Sequence, residues 1–540
     1  MKGNFVCLFA LIMVIPACFY FFSKYGGAKA TLIVFFGAVL FLPMEELHVP
    51  LILYNKMTAT GIGVLLAIKA MDGESLENFS LHPVDFPMIV WLFSVVFSSM
   101  VNGLGIKDGL QESFNTFTLW GVPYLAGRLY FSDSKGHRLL CQALFLCGLI
   151  YIPFVAFELI MSPQAHNIVY GYMQHSFAQV MRGNGYRPMV FMQHGIMLGT
   201  FMCMAALVGI WCTATGVFPK KQWGLPSWLL CLVMLFSAII CKSSGAIGLM
   251  FLGLIALFTS SRLKTALLIW LMLLIPPAYI STRATGYWDG QNAIDLISEK
   301  FSADRSASLA FRLDNENILV EKALERPIWG WGGWGRSRVY DPDTGEDLST
   351  TDGFWIITLG SRGFIGLISV CLILFQPMFL FILKNHPKTW TRPEIAPSAV
   401  IAIIPLLFLI DCTLNAMVNQ MYIIFAGGIT GMITQKSSHR DLVDDLNQEE
   451  ITSVKSSSLL PHPMAAGCAR QTKPWAPTTR FVLSPSYSGP RFELIKNNIT
   501  ASGEPYSELD PPATKHENPS GLPRFSYNGH VLTDTTNIGS

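Results

Sequence analysis

The chain has 540 residues, with 38 Lys and Arg against 36 Asp and Glu, and only 14% of it is charged while 51% is hydrophobic. Soluble proteins carry about 25% charged residues, so the missing charge excludes an ordinary soluble domain and points to a bilayer. A net charge of +2, with no Lys/Arg block of five residues or more, gives no sign of a nucleic-acid partner, and none is expected.

A transmembrane helix needs about 20 apolar residues, and inside lipid only helices and closed barrels satisfy their own backbone. Runs of that kind predict helices at 4–22, 29–43, 51–70, 86–104, 113–130, 139–161, 191–213, 226–241, 244–260, 264–280, 360–383, 396–415 and 420–435. The expected fold class is an all-α polytopic membrane protein, with 12 or 13 transmembrane helices over residues 1–435. The span at 29–43 is short, and 113–130 is interrupted by Asn115, Gly121 and Pro123. The first run follows Lys2 as a signal peptide would. It is long, however, lacks a small-x-small cleavage site and is followed by more such runs, so it reads as a membrane helix.

One orientation collects Lys24, Lys29, Arg128, Lys135, Arg138, Lys220, Lys221, Arg262, Lys264, Lys384, Lys388 and Arg392 on a single side, which the positive-inside rule makes the cytoplasm. It leaves 162–190 and the long segment 281–352 extracytoplasmic. It also puts the N-terminus outside if every run crosses, against the preference of Lys2. From about 436 the sequence KSSHRDLVDDLNQEE opens a Pro- and Ser-rich stretch, so 436–540 is expected to be a disordered cytoplasmic tail. The eleven cysteines are scattered singly, without CxxC or a Cys/His cluster, and read as packing residues; no metal and no cofactor is expected. No repeat of fixed period and no inverted pair of broken helices is visible.

Segment 281–352 is the sizeable polar piece between runs, and a segment of this length is usually functional or disordered. Within it, FRLDNENILVEKALERP places apolar residues at Phe311, Ile318, Leu319, Ala323 and Leu324 ahead of Pro327, which predicts an amphipathic helix from about 310 to 325. Next comes ERPIWGWGGWGRSR, Glu325 to Arg338, with three tryptophans, four glycines and three arginines in fourteen residues. Trp329, Trp331 and Trp334 fit either an interfacial aromatic belt or flat faces for sugar rings. The glycines let a backbone approach a ligand closely.

Arg305, Arg312, Arg326, Arg336 and Arg338 lie on this segment, and Arg182 and Arg187 lie on the other outer one. A guanidinium matches phosphate oxygens with a planar fork of donors, although each of these also has carboxylates nearby to pair with or headgroups to reach. Asp352 precedes an apolar helix, where it serves as a helix cap or as a general base. Asp411 sits inside an apolar run, which is costly for an acid, and Lys242 at an outer end either partners it or simply snorkels.

The order of YRPMVFMQHGIMLG, CKSSGAIGLMFLGL, FRLDNENILVEKALERPIWGWG and TDGFWIITLGSRGFIGL over residues 170–385 resembles the O-antigen ligase and polysaccharide repeat-unit polymerase superfamily of bacterial inner-membrane proteins. An Arg at the outer end of a span appears in YRPMVFMQHGIMLG as Arg187, and a small Ser-rich span opening appears in CKSSGAIGLMFLGL. An Arg leading an amphipathic helix that ends in Pro and a Gly-aromatic turn appears in FRLDNENILVEKALERPIWGWG as Arg312. A polar residue eleven positions before a Gly-x-x-Gly appears in TDGFWIITLGSRGFIGL as Asp352. Ligases usually carry histidine at that last position, and no histidine occurs in 281–352; His194 is elsewhere. An Asp there looks more like the polymerase branch.

The resemblance implies a metal-independent glycosyltransferase of surface polysaccharide assembly, with a polyprenyl-diphosphate-linked glycan as donor and a glycan or lipid-linked acceptor. It implies that Arg187 and Arg312 hold the diphosphate and that Asp352 is the base. Arg336, Arg338, Trp331 and Trp334 would add phosphate or sugar contacts. Two rival readings stay open: a transporter or flippase of lipid-linked saccharides that makes no bond, and a membrane scaffold whose outer loop binds a partner.

Overall fold

The computed structural model describes residues 2–49, 52–175, 177–181, 185–300 and 303–434, without the side chains of 178, 179 and 303–305. The expected tail at 436–540, Arg182 and the side chain of Arg305 lie outside the described residues.

Every apolar run has a helix, and the ends are set by recognisable stops. Helix α1 (Phe5–Tyr25) starts where the Asn4 side chain accepts the Cys7 amide, and it reverses into α2 (Gly27–Phe41) at Gly26, whose φ of 74° favours glycine. An antiparallel hairpin, β1 (Glu46–Val49) with β2 (Ile52–Asn55), then takes up the beginning of the run expected at 51–70. Helix α3 (Lys56–Met71) begins only where Asn55 caps the amides of Met57 and Thr58. After the short α4 (Gly73–Glu77) comes α5 (Phe86–Val101).

The run interrupted by Asn115, Gly121 and Pro123 forms one helical rod: α6 (Ile106–Thr116), a π turn at Phe117–Gly121, and α7 (Val122–Tyr130). The wide turn lets the Val122 amide reach the Phe117 carbonyl, which accommodates Pro123 without ending the helix. Helix α8 (Ser134–Met161) follows, then the short α9 (Ala165–Tyr170) and α10 (Phe177–Val180). Next is α11 (Gly195–Ala214), which starts at His194, whose ring nitrogen accepts the Ile196 amide.

A small hairpin, β3 (Lys221–Gln222) with β4 (Leu225–Pro226), precedes α12 (Ser227–Ile240), α13 (Ser244–Leu263) and α14 (Leu267–Ala284). The long polar segment holds α15 (Gln291–Lys300) and α16 (Ala303–Leu324), the latter beginning ahead of the expected 310 and stopping short of Pro327. The chain ends its described part with α17 (Phe354–Lys384), α18 (Ala396–Asp411) and α19 (Gln420–Thr434).

Seven of these helices are long and apolar enough to cross a membrane, and four more are apolar but shorter. The protein is therefore an all-α, polytopic membrane protein. Helices α11, α18 and α19 are apolar on all sides and form the buried centre, as expected for helices with no polar face. Small residues let backbones touch there: a side chain at Gly127 of α7 would run into the Ile424 carbonyl of α19.

The two ends of the bundle differ. One carries the described parts of 162–194 and 285–353, and it also carries the N-terminal end of α1, since the Asn4 amide donates to the Tyr170 carbonyl at 2.9 Å. At the other end Arg128 grips Asp85 with two nitrogens, each 3.0 Å from a carboxylate oxygen, and Tyr124 donates to the same carboxylate at 2.7 Å.

Candidate functional site

The site is built on a break in a long helix. Inside α17, Gly363 has φ 64° and ψ −167°, which leaves amides and carbonyls without helical partners. The turn that follows α16 supplies them. Phe364 donates its amide to the Pro327 carbonyl at 2.7 Å, while Trp331 and Gly332 donate theirs to Gly360 and Ser361 at 2.8 and 3.0 Å. Glycine is required on both sides of this clasp. A side chain at Gly330 would meet the Arg362 amide at 2.5 Å, and one at Gly363 would run into the Ile328 carbonyl.

The ERPIWGWGGWG stretch is thus a backbone clasp that seats the polar segment on the membrane helices. Arg362, beside the break, is buried and donates to the Trp91 carbonyl at 3.0 Å and to Thr116 Oγ1 at 2.7 Å, which ties the break to α5 and α6. Its guanidinium also lies 3.9 Å from the Trp91 ring centroid.

The clasp brings α16 over the start of α17, and two expected site residues meet there. Arg312 Nε lies 3.3 Å from Asp352 Oδ2, with side chains 25% and 37% exposed. Asp352 is not the helix cap. Gly353 occupies that position with no side-chain bond, and the Phe354 amide is satisfied by the carbonyls of Cys412 and Asn415 at the end of α18. Burial pushes the Asp352 carboxyl above its ordinary range, and the neighbouring Arg312 pulls it back. Asp411, in the last turn of α18, accepts Asn415 Nδ2 at 2.8 Å and lies within electrostatic reach of Arg312. Arg312 is thus a cation acting on Asp411, a role for which Lys242 was one candidate.

Beneath this pair is a buried ionic cluster that the sequence reading passed over. The Glu316 carboxylate accepts Tyr279 Oη at 2.8 Å, Arg283 Nε at 3.1 Å and Trp355 Nε1 at 3.1 Å. Arg283 also donates to the carbonyls of Trp288 at 3.1 Å, Asp289 at 2.9 Å and Leu313 at 2.6 Å. Burial pushes the Glu316 carboxyl up, opposed by the donors around it. The available signal was its spacing: with Leu313, Leu319, Val320 and Ala323 it lies on the buried stripe of α16, where a lone carboxylate demands a partner.

The other expected residues are placed as follows. Arg187 is buried on the 162–194 segment, with its stem against Gly195 and one nitrogen 3.3 Å from Ser243 Oγ at the head of α13. Arg338 pairs with Asp347 and donates to Thr351 Oγ1 at 3.3 Å, the carboxylate pairing open to any of these arginines. Arg336 is exposed. Trp331 donates its indole N–H to the Lys322 carbonyl at 2.7 Å, and its ring carries the Lys322 ammonium at 3.9 Å and the Arg326 guanidinium at 4.2 Å. Trp329 stacks on Phe97 at 5.1 Å, while Trp334 keeps 39% of its surface exposed.

Among the described residues no group of three or more His, Cys, Asp or Glu is arranged to hold a metal ion. No protein-family model and no curated protein matches the chain.

Proposed function

We propose that this protein transfers or polymerises polyprenyl-diphosphate-linked glycans at the outer face of a bacterial inner membrane, as a glycosyltransferase of the O-antigen ligase and polymerase type. The observation that carries the reading is the partly exposed Arg312–Asp352 pair, set where the clasp seats α16 over the head of α17. In this reading all thirteen apolar runs cross, with the N-terminus and the segments 162–194 and 285–353 outside.

The chemistry is a displacement at the anomeric carbon. The acceptor oxygen forms the new bond to that carbon, the bond from it to the diphosphate oxygen breaks, and the lipid-linked diphosphate leaves with the electron pair. Arg312 stabilises the charge that develops on the leaving diphosphate, and Arg187 is a second cation for it. The hydroxyl proton goes to the Asp352 carboxylate. Arg336, Arg338, Trp331 and Trp334 rim the polar segment as candidate sugar or phosphate contacts.

The experiment is incubation of the purified protein with defined lipid-linked glycans, reading chain length and acceptor. Arg187→Ala and Arg312→Ala should each abolish product while inserting normally; unchanged product in both removes the site assignment.

A transporter of lipid-linked saccharides is the second reading, favoured by one observation: α17 is discontinuous at Gly363, and broken helices mark many transporters. Lipid-linked units piling up on the cytoplasmic face of the Arg312→Ala strain would support transport. Accumulation on the outer face would support the transferase.

A further inference from the structure

We propose that Glu316 and Arg283 are positioning residues that set Arg312 against Asp352; the catalytic meaning of this inference rests on the transferase reading. Both members of the 3.3 Å pair sit one residue away from a contact with the buried cluster. Next to Arg312, the Leu313 carbonyl accepts Arg283 at 2.6 Å. Next to Asp352, Gly353 lies so close to the cluster that a side chain on it would meet Glu316 Oε1 at 3.2 Å and the Thr413 carbonyl at 2.8 Å. Three residues after Asp352, Trp355 donates to the same carboxylate at 3.1 Å.

Anchoring alone does not call for this arrangement. A buried ion pair adds little net stability over well-packed apolar side chains, whereas its directional bonds specify one geometry. Here the side chains are 1% and 3% exposed, and the pair joins α14, the turn at Trp288 and Asp289, α16 and the head of α17. Glu316 lies one helical turn after Arg312, so α16 cannot rotate or slide without breaking it. Among the described residues Arg312 is the charged group paired with Asp352, while Glu316 from α16 lies beside the neighbouring Gly353 and Asp411 from α18 is within reach of Arg312.

Two experiments test this on the full chain. The first compares Glu316→Gln and the apolar double variant Arg283→Met/Glu316→Leu in the transfer assay. At least a tenfold fall in kcat is expected with KM changed less than threefold, and the acid limb of the pH profile should move to higher pH as Arg312 loosens from Asp352. Glu316→Asp, which keeps the charge on a shorter stem, should recover part of kcat.

The second uses no substrate. With Arg312→Cys/Asp352→Cys in place, a short bis-methanethiosulfonate reagent should bridge the two positions. Adding Arg283→Met/Glu316→Leu should cut bridging at least tenfold while the protein keeps its thermal transition. Unchanged bridging with a folded double variant overturns the inference. Loss of bridging, with the wild-type protein inactive on every lipid-linked glycan tried, retains the geometric role and refutes the transferase reading instead.

Discussion

The Phe364 amide donates to the Pro327 carbonyl at 2.7 Å, so the break in α17 and the turn after α16 form one hydrogen-bonded unit. The polar segment is therefore held by backbone groups of a membrane helix, and the site at Arg312 and Asp352 inherits its position from that union.

Gly363→Ala should destabilise the protein by about 2–4 kcal/mol, adding the cost of positive φ to steric overlap with the Ile328 carbonyl. Gly330→Ala should behave similarly. Gly245→Ala in α13, where an added side chain meets nothing, should leave the thermal transition in detergent unchanged.

Arg312→Gln should move the acid limb of the kcat/KM profile to higher pH. Burial already raises the Asp352 carboxyl and Arg312 opposes it; without the cation the carboxyl holds its proton to higher pH, and a base acts only after losing that proton. A limb that stays in place or moves to lower pH would count against Asp352 as the base.

Glu316→Leu alone should cost about 3–5 kcal/mol, because Arg283 is left buried without its counter-charge, while Arg283→Met/Glu316→Leu should fall within about 2 kcal/mol of the wild type. Reversible chemical unfolding of the three proteins in the same detergent measures the difference.

Asp85→Asn should lower stability without altering KM or the pH profile. Asp85 and its partners Arg128 and Tyr124 are buried at the opposite end of the bundle, so the residual activity per folded molecule should equal that of the wild type.

Trp331→Phe should cost about 1 kcal/mol of stability, since it removes the bond to the Lys322 carbonyl and weakens the contacts with Lys322 and Arg326. Trp334→Ala should instead raise KM for a long glycan with little change in stability, because its ring retains open surface.

Much of the framework was legible in the sequence. Missing charge and apolar runs of bilayer length located the apolar helices, with ends off by up to seven residues (113 expected, Ile106 found), because each run has to satisfy its own backbone in lipid wherever it packs. Pro327 marked the stop beyond α16, and Leu319 and Ala323 marked its buried face, whereas Phe311, Ile318 and Leu324, expected on the same face, are exposed. The role of the Trp/Gly stretch was hidden, because nothing in TLGSRGFIGL says that Gly363 breaks α17. Motif order put Arg312 and Asp352 into one site, as diphosphate holder and base, without pairing them with each other, whereas Glu316 and Arg283 gave only the weak signal of charges at apolar positions.

The sequence by itself determined the class of protein and the location of its helices, since these follow from local composition acting against a single solvent, the bilayer. Only the tertiary structure decided which charges meet. Whether Asp411 faces Arg312 or Lys242, and whether Asp352 caps a helix or pairs with an arginine, depends on how separate helices pack and where their backbones break. Those are distances between elements remote in the chain, and no local pattern carries them.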